Sequence, residues 1–438
     1  MALQDQHLAD LHQRARTLGV PGYRMLTRDQ LIEAIEEREE ETEYQPADRE
    51  EAVDAGLERP HHEPLEKEEP GEQADTDEQA ERDQGDSPEP EEPETEPITG
   101  VLDRMPQGYG FLRLSGLHES EGDVYVSASQ IRRCELRPGD QVSGPARQPR
   151  RGERHRALVR VESVNGQSPE EGRTHFEDLT PAPPHRRLFS PDAPGDPLVR
   201  AVDLLGPLAF GQRVLILAQP RSGRTTLLRA VGSAIAATDA QLCVLLADER
   251  PEEVPQWERS LPDAEIFAAT ADQEPRDQVR EAELAMGHAK RLAEEGGDVV
   301  VLIDSLSRLA LGYRDPARVK RMFGAGRELA ENGTGSLTVI ATVLDSDDRG
   351  VEVREALQTT ENLLLRLDAR LAAKGIVPAV VAADSRVSGE EELRDPDELE
   401  KVRRLREELR EMDPEQAARV LADQIAATAN NTELLSRL

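Results

Sequence analysis

Apolar residues follow three rhythms along this chain, and each rhythm predicts a different kind of structure. In residues 1–38, Leu8, Leu11, Ala15 and Leu18 recur at helical spacing, Gly22 interrupts, and Leu31, Ile32 and Ile35 form a second stripe. Thr27 followed by Gln30 reads as a capping box at the start of that second helix. A small N-terminal helical module is therefore expected. In residues 39–97 the rhythm stops, and Glu, Asp, Pro, Gln and Gly dominate. Such a segment cannot bury enough apolar surface to offset its ordering entropy, so a disordered acidic linker is expected. From 98 to 164, short runs such as GVLDRMPQGYGFLR and DVYVSASQIRR alternate with Gly, Pro and Asp turns, which predicts a small β-barrel. Residues 165–200 are Pro-rich and read as a connector. From 201 onward, apolar runs alternate with helical stretches, the pattern of a mostly parallel sheet covered by helices. Strands are predicted at 214–218, 242–247, 299–303, 337–343 and roughly 376–382, with amphipathic helices closing the chain over 391–438.

Charge changes this picture in one place. The 438 residues carry a formal net charge of -34, which looks hostile to nucleic acid. Yet residues 41–100 hold 23 acidic and 4 basic side chains, whereas 101–160 hold 7 acidic and 11 basic. The bulk charge thus describes mainly the linker, and the barrel is locally basic. The linker can be a solubilising spacer, or it can compete with nucleic acid for the basic surface beside it. Two cysteines, Cys134 and Cys243, provide neither a disulfide framework nor a metal cluster, consistent with a reducing compartment. The start MALQDQHLADLHQRAR lacks the regions of a signal peptide, and no apolar run is long enough to span a bilayer. A soluble cytoplasmic protein with no membrane partner is expected.

Within the barrel, Tyr109 and Phe111 alternate across a Gly-spaced strand, and Tyr125 lies on the next one. Aromatic rings among arginines suit stacked single-stranded bases and their phosphates. The candidate stacking rings are Tyr109, Phe111 and Tyr125, and the candidate phosphate contacts are Arg113, Arg132, Arg133, Arg151 and Arg154. The competing reading makes Phe111 and Tyr125 ordinary core residues.

The large domain opens with GQRVLILAQPRSGRTTLL, a strand, turn and helix in the context of a nucleotide-binding P-loop. Pro220, Arg221, Ser222 and Gly223 form the turn, with Arg224, Thr225 and Thr226 behind it. Thr225 is placed to offer a hydroxyl to Mg2+. Arg224 stands where that motif has Lys, which keeps the charge but makes it planar and directional. The run VVVLID ends on Asp304, a candidate partner for metal-bound water, and LLADE ends on Glu249, a candidate to orient an attacking water. Arg308 and Arg386 follow strand-like runs and can complete a phosphate site, including a neighbouring subunit's.

Taken together, GYGFLR, DVYVSASQIRR, LRPGDQVSG, FEDLTP, the P-loop segment, DERPEEV, IDSLSRLA and RMFGAGRELAENGTGSLTVIAT, in this order, resemble the bacterial transcription termination factor Rho family. The resemblance implies an N-terminal helical part, an OB-fold barrel and a RecA-like P-loop ATPase domain. It further implies a hexameric ring that binds nascent single-stranded RNA and ATP with Mg2+, and an RNA-dependent ATPase and helicase that releases RNA from RNA polymerase. By motif, Tyr109, Phe111, Tyr125 and Arg113 match the family's RNA contacts. Glu249 matches its catalytic glutamate, Asp304 its Walker B aspartate, Arg308 a nearby arginine and Arg386 its arginine finger. The departures lie in the motor. Arg221 and Arg224 replace lysines, and His155 replaces an aromatic residue. The channel loop after Tyr313 is missing, and the next is the acidic Asp345–Gly350, whose Asp345, Asp347 and Asp348 would repel phosphates. Ala369 stands at a basic site, beside Arg370. Two readings follow: a divergent working termination factor, or a hydrolysis-deficient paralogue that binds RNA or enters mixed rings with a second Rho protein and modulates termination.

Overall fold

In the computed structural model, Ile32, Ala34, Ile35 and residues 95–438, apart from 170, 171, 314, 332 and 333, are described. The chain divides into Met1–Glu92 and Pro93–Leu438. In the first unit Ile32, Ala34 and Ile35 are helical, and both isoleucines are buried. The stripe from Leu8 to Leu18, the box at Thr27 and the acidic segment up to residue 94 lie outside the described residues.

The second unit begins with six strands: β1 (Thr95–Arg104), β2 (Gly110–Arg113), β3 (Val124–Val126), β4 (Gln141–Arg147), β5 (Arg156–Leu158) and β6 (Ser163–Val164). They pair in the order β1-β2-β3-β5-β4-β6, and β1 also pairs with β4, so the sheet closes into a barrel. A short helix, Ala128–Arg133, fills the β3–β4 connection behind a capping box of Ser127 and Gln130. Inward positions alternate along the strands as the period of two requires: Leu102, Leu112, Val124, Val126, Val142 and Val164 are fully buried. The barrel starts earlier than composition suggests. Thr95, Glu96 and Pro97, expected in the linker, pair with Arg147, Ala146 and Pro145 of β4. Tertiary pairing supplies hydrogen bonds that a polar sequence does not advertise.

The motor domain is a parallel sheet. β7 (Pro181–Ala182) precedes β8 (Arg213–Ala218), β9 (Gln241–Glu249), β10 (Glu265–Thr270), β11 (Asp298–Asp304), β12 (Arg327–Leu329), β13 (Ser336–Leu344), β14 (Leu363–Arg366) and β15 (Arg386–Val387). The order is β10-β9-β11-β13-β8-β14-β15, parallel as far as β14. β15 closes the edge antiparallel to β14, and β12 joins β13 to β7. Central strands are apolar throughout because helices cover both faces. One expected strand is absent: over 376–382 only Val380 makes an isolated bridge, to Leu367. Pro378 has no N–H for a ladder, and Ile376, Ala379 and Val381 instead pack with Leu371 and Ala418. The sheet is extended by β10 and β14, which the apolar pattern did not reveal.

Helices Pro396–Glu411, Pro414–Ala426 and Asn431–Ser436 end the chain, capped by Asp395, Asp413 and Asn430. Buried Arg200 ties them to the motor through the carbonyls of Ile425 and Thr428 and the side chain of Asn431. Barrel and motor pack closely at Gly139, where a Cβ would lie 2.4 Å from the Gly287 backbone and where φ is +89°. Among the described residues no helix is long and apolar enough to cross a membrane.

Candidate functional site

The barrel gathers its rings on one outer face. Phe111 and Tyr125 are cross-strand neighbours in β2 and β3. Their centroids lie 6.0 Å apart, and Tyr109 lies 5.9 Å from Phe111 and 5.6 Å from Tyr125. His155 adds a fourth ring, 5.0 Å from Phe111. Tyr125 is 37% exposed and neither ring belongs to the barrel core, which excludes the core-residue reading. Phe111, Tyr125 and His155 line one cavity with Arg133 and Arg154. The same cavity includes Arg147, Arg150 and Glu153, which sequence reasoning missed. Arg147 donates to Glu153 at 2.6 Å and holds that carboxyl down at about 2. Such an Arg–Glu pair carries no local pattern in the sequence. Arg132 and Arg151 are exposed but do not line the cavity.

Arg113 requires a correction. It is only 3% exposed, so it does not stand among surface phosphate contacts. Its Nε donates to Asp103 at 3.0 Å, and its guanidinium also pairs with Asp123. Burial disfavours its charge, but the two carboxylates more than offset this and raise its pKa. Phe111 and Arg113 flank the inward Leu112 and so share one side of β2; the difference comes from Asp103, Glu119 and Asp123, whose carboxylates close over Arg113, while Phe111 stays half-buried.

The second site lies at the carboxyl edge of the parallel sheet. β8 delivers the turn 219–223, and the helix Arg224–Ala236 follows. Arg221 and Gly223 both take positive φ, +63° and +84°, and nothing crowds Gly223 within 4 Å. The helix has no side-chain cap and no acidic residue in its first turn, so its terminal N–H groups are open to an anion without competition. Pro220, Arg221 and Thr226 are exposed, Thr225 is half-buried and Ser222 is buried. β9 and β11 bring Glu249 and Asp304 to the same edge, with β13 between β11 and β8. Arg224 Nε sits 3.0 Å from Asp304 Oδ1, and its Nη2 is 4.0 Å from Glu249 Oε2. Burial pushes the Asp304 carboxyl up, against the pull of Arg224 and a hydrogen bond from Thr342 at 3.0 Å. Thr342, a polar position inside the apolar run of β13, was the one signal for this contact and was missed. Arg308 donates to the Asp248 carbonyl at 2.6 Å and lies 3.5 Å from Glu249.

Three buried atoms at this edge have no hydrogen-bond partner: Ser222 Oγ, Arg224 Nη1 and Asp304 Oδ2. Unsatisfied polar atoms are costly unless a ligand completes them. These atoms and the open helix terminus fit a polyphosphate, and the Thr225 hydroxyl with Asp304 Oδ2 fits a hydrated divalent cation. Arg386 is not brought here. It sits on edge strand β15 and pairs with Glu361 at 2.9 Å.

The expected channel elements are short. Helix Leu306–Tyr313 is followed almost at once by Pro316–Phe323, capped by Asp315. The acidic segment behaves differently from its expected repulsion. Asp345 is neutralised by Arg354 at 2.9 Å and Arg366 at 3.4 Å, and Asp347 caps helix Asp348–Leu357. Only Asp348 of the three remains exposed without such a role. Arg370, beside Ala369, pairs with Asp368 at 2.7 Å.

Comparison with known proteins matches both domains to known families. Residues 98–170 match a family model described as the Rho termination factor RNA-binding domain, and 2–43 match the Rho termination factor N-terminal domain. Residues 199–326 match the nucleotide-binding domain of the ATP synthase alpha/beta family. Similar curated proteins are each named transcription termination factor Rho. That of Bacillus subtilis is 42% identical, over 69% of this chain and 75% of the relative. That of Aquifex aeolicus is 38% identical, over 78% and 84%. That of Streptomyces lividans is 41% identical over 78% of this chain, but the match spans only 52%, about half, of the relative.

Proposed function

The chain belongs to the transcription termination factor Rho family, and from that premise we propose that it binds nascent single-stranded RNA on its barrel and ATP at its P-loop, and acts in the cytoplasm on RNA release from RNA polymerase. The observation that carries this reading is the convergence of Glu249, Asp304 and an uncapped helix terminus at one sheet edge, in a chain whose barrel opens an arginine-rimmed aromatic cavity. Tyr109, Phe111 and Tyr125 stack bases, while Arg132, Arg133, Arg151 and Arg154 attract the backbone. Arg113 supports Phe111 from within, its guanidinium 5.7 Å from the ring centroid.

In the motor, the backbone of Pro220–Gly223 and the N–H groups of Arg224, Thr225 and Thr226 cradle the phosphates. Arg221 and Arg224 add charge. Thr225 and Asp304 are the residues that would hold a magnesium ion, which would supply neutralisation of charge on the transferring phosphoryl group. Glu249 orients the attacking water and accepts its proton, and Arg308 fixes the Glu249 strand end. Arg386, on an exposed edge strand, serves a neighbouring subunit's site in a homohexameric ring.

A second reading, a ring member or RNA-binding modulator that turns over slowly, is favoured by one contact: Arg224 engages Asp304 directly. ATP hydrolysis by the purified chain, with and without pyrimidine-rich single-stranded RNA, decides between them. RNA-stimulated turnover supports the working motor. RNA binding and ring assembly without turnover support the modulator. Absence of RNA binding rejects the working motor and leaves only the ring-member form of the second reading.

A further inference from the structure

Arg224 does more at the P-loop than preserve a positive charge. The side chains of Asp304 and Glu249 are 1% and 10% exposed, and Arg224 lies against both with 12% exposure. Two carboxylates so withdrawn from water repel a polyphosphate strongly unless a cation stands with them. A lysine ammonium is one compact point of charge. A guanidinium is planar, with five donors directed along different edges, so it can hold a carboxylate on one edge and a phosphate oxygen on another. Here Nε is committed to Asp304, Nη2 faces Glu249 at longer range, and Nη1 is buried without a partner. The free donor is carried by the first residue of the uncapped helix, two positions after Ser222, whose Oγ is likewise buried without a partner.

Resting on the nucleotide-site reading, we propose that Arg224 is a built-in counter-cation of the phosphate site, so that this chain holds a nucleoside triphosphate without a divalent metal. Its Nε edge neutralises Asp304 permanently, and its free Nη1 edge is left for the nucleotide. The metal then adds little to affinity, because the repulsion it would relieve is already relieved. A lysine ammonium carries its three donors on one nitrogen and sets a single point of charge between carboxylate and phosphate, whereas the planar, forked group meets each on a separate edge, so metal-free retention depends on that geometry and not on charge alone.

The test is a fluorescence titration of the full chain with ATP carrying an N-methylanthraniloyl group, in magnesium and in EDTA. Wild-type affinities in the two media are expected to agree within about threefold, whereas R224K is expected to bind at least about tenfold more weakly in EDTA than in magnesium. Wild-type binding that collapses in EDTA overturns this proposal and leaves the nucleotide-site reading standing. R224K binding that stays metal-independent also overturns it, since the forked group would then be dispensable. Loss of wild-type binding in both media overturns the nucleotide-site reading and this proposal together. The wild-type comparison is decisive even if the variant fails to fold.

Discussion

Arg280 of the motor donates to Asp103 of the barrel at 2.6 Å, and the same carboxylate accepts from the buried Arg113. A single barrel aspartate therefore joins the motor helix Pro275–Glu294 to the arginine that lies beneath Phe111. The two partners differ in environment. Arg280 is about one-third exposed, so solvent screens its share. Arg113 is buried and loses one of its two buried carboxylates if Asp103 is removed. Asp103→Ala is expected to cost about 3 kcal/mol, and Arg280→Ala about 1 kcal/mol or less. Denaturant unfolding of both variants checks the ranking, and equal losses would contradict it.

The half-buried Phe111 and the buried Arg113 of β2 should separate in RNA binding. Phe111→Ala is expected to weaken binding of a pyrimidine oligonucleotide by about 10- to 100-fold, the worth of one stacked base. Arg154→Ala should lower affinity modestly and reduce the salt slope by about one. Arg113→Ala should instead appear first as lost stability. Fluorescence anisotropy over a salt series, paired with thermal melts, distinguishes them. A salt-slope change in Arg113→Ala with an unchanged melt would return that residue to the phosphate contacts.

Glu249 and Asp304 share an edge, and the proposed reaction assigns them different tasks. Glu249→Gln keeps size and hydrogen-bonding while removing the base. Hydrolysis should fall about 100-fold or more with nucleotide affinity largely kept. Turnover and binding measured on the same preparation test this. Unaltered turnover would remove Glu249 from the reaction.

The barrel–motor junction should also sense pH. Glu281 lies there among Asp277, Asp103, Arg113 and Arg280, and burial, with Asp277 adding, pushes its carboxyl up to about 7 from 4.5. The folded state thus binds a proton that the unfolded chain has already released. Its stabilisation is complete below about 4.5 and is lost as pH rises through about 7, a change on the order of 1–3 kcal/mol. Glu281→Gln should melt with a flatter dependence than wild type between about pH 5 and 8. Parallel curves would exclude Glu281 as the source.

Much of the architecture was legible because it follows from periodicity and local chemistry. Short runs such as GVLDRMPQGYGFLR and DVYVSASQIRR, joined by Gly, Pro and Asp turns, mark a small barrel, and the run Val214–Ala218 before a Gly-containing turn marks a P-loop. β14 escaped notice since four residues, LLLR, carry too little pattern to register as a strand. The stretch 376–382 was misread for the opposite reason: an apolar run reports burial, not the ladder that Pro378 denies it.

By itself, then, the sequence determined a small barrel followed by a larger α/β domain, the aromatic residues that the barrel gathers on one face and a strand–turn–helix of phosphate-loop type. Which way each side chain turns was decided only by the tertiary structure. Phe111 and Arg113 stand two residues apart on one strand, yet one faces the cavity and the other is sealed beneath a loop. Arg224 is 80 residues from Asp304 in the chain, and only the parallel sheet, by placing β8 and β11 on either side of β13, brings them into contact. The physical reason is common to both: local pattern sets burial and backbone conformation, whereas charge pairing depends on which distant segments the fold makes neighbours.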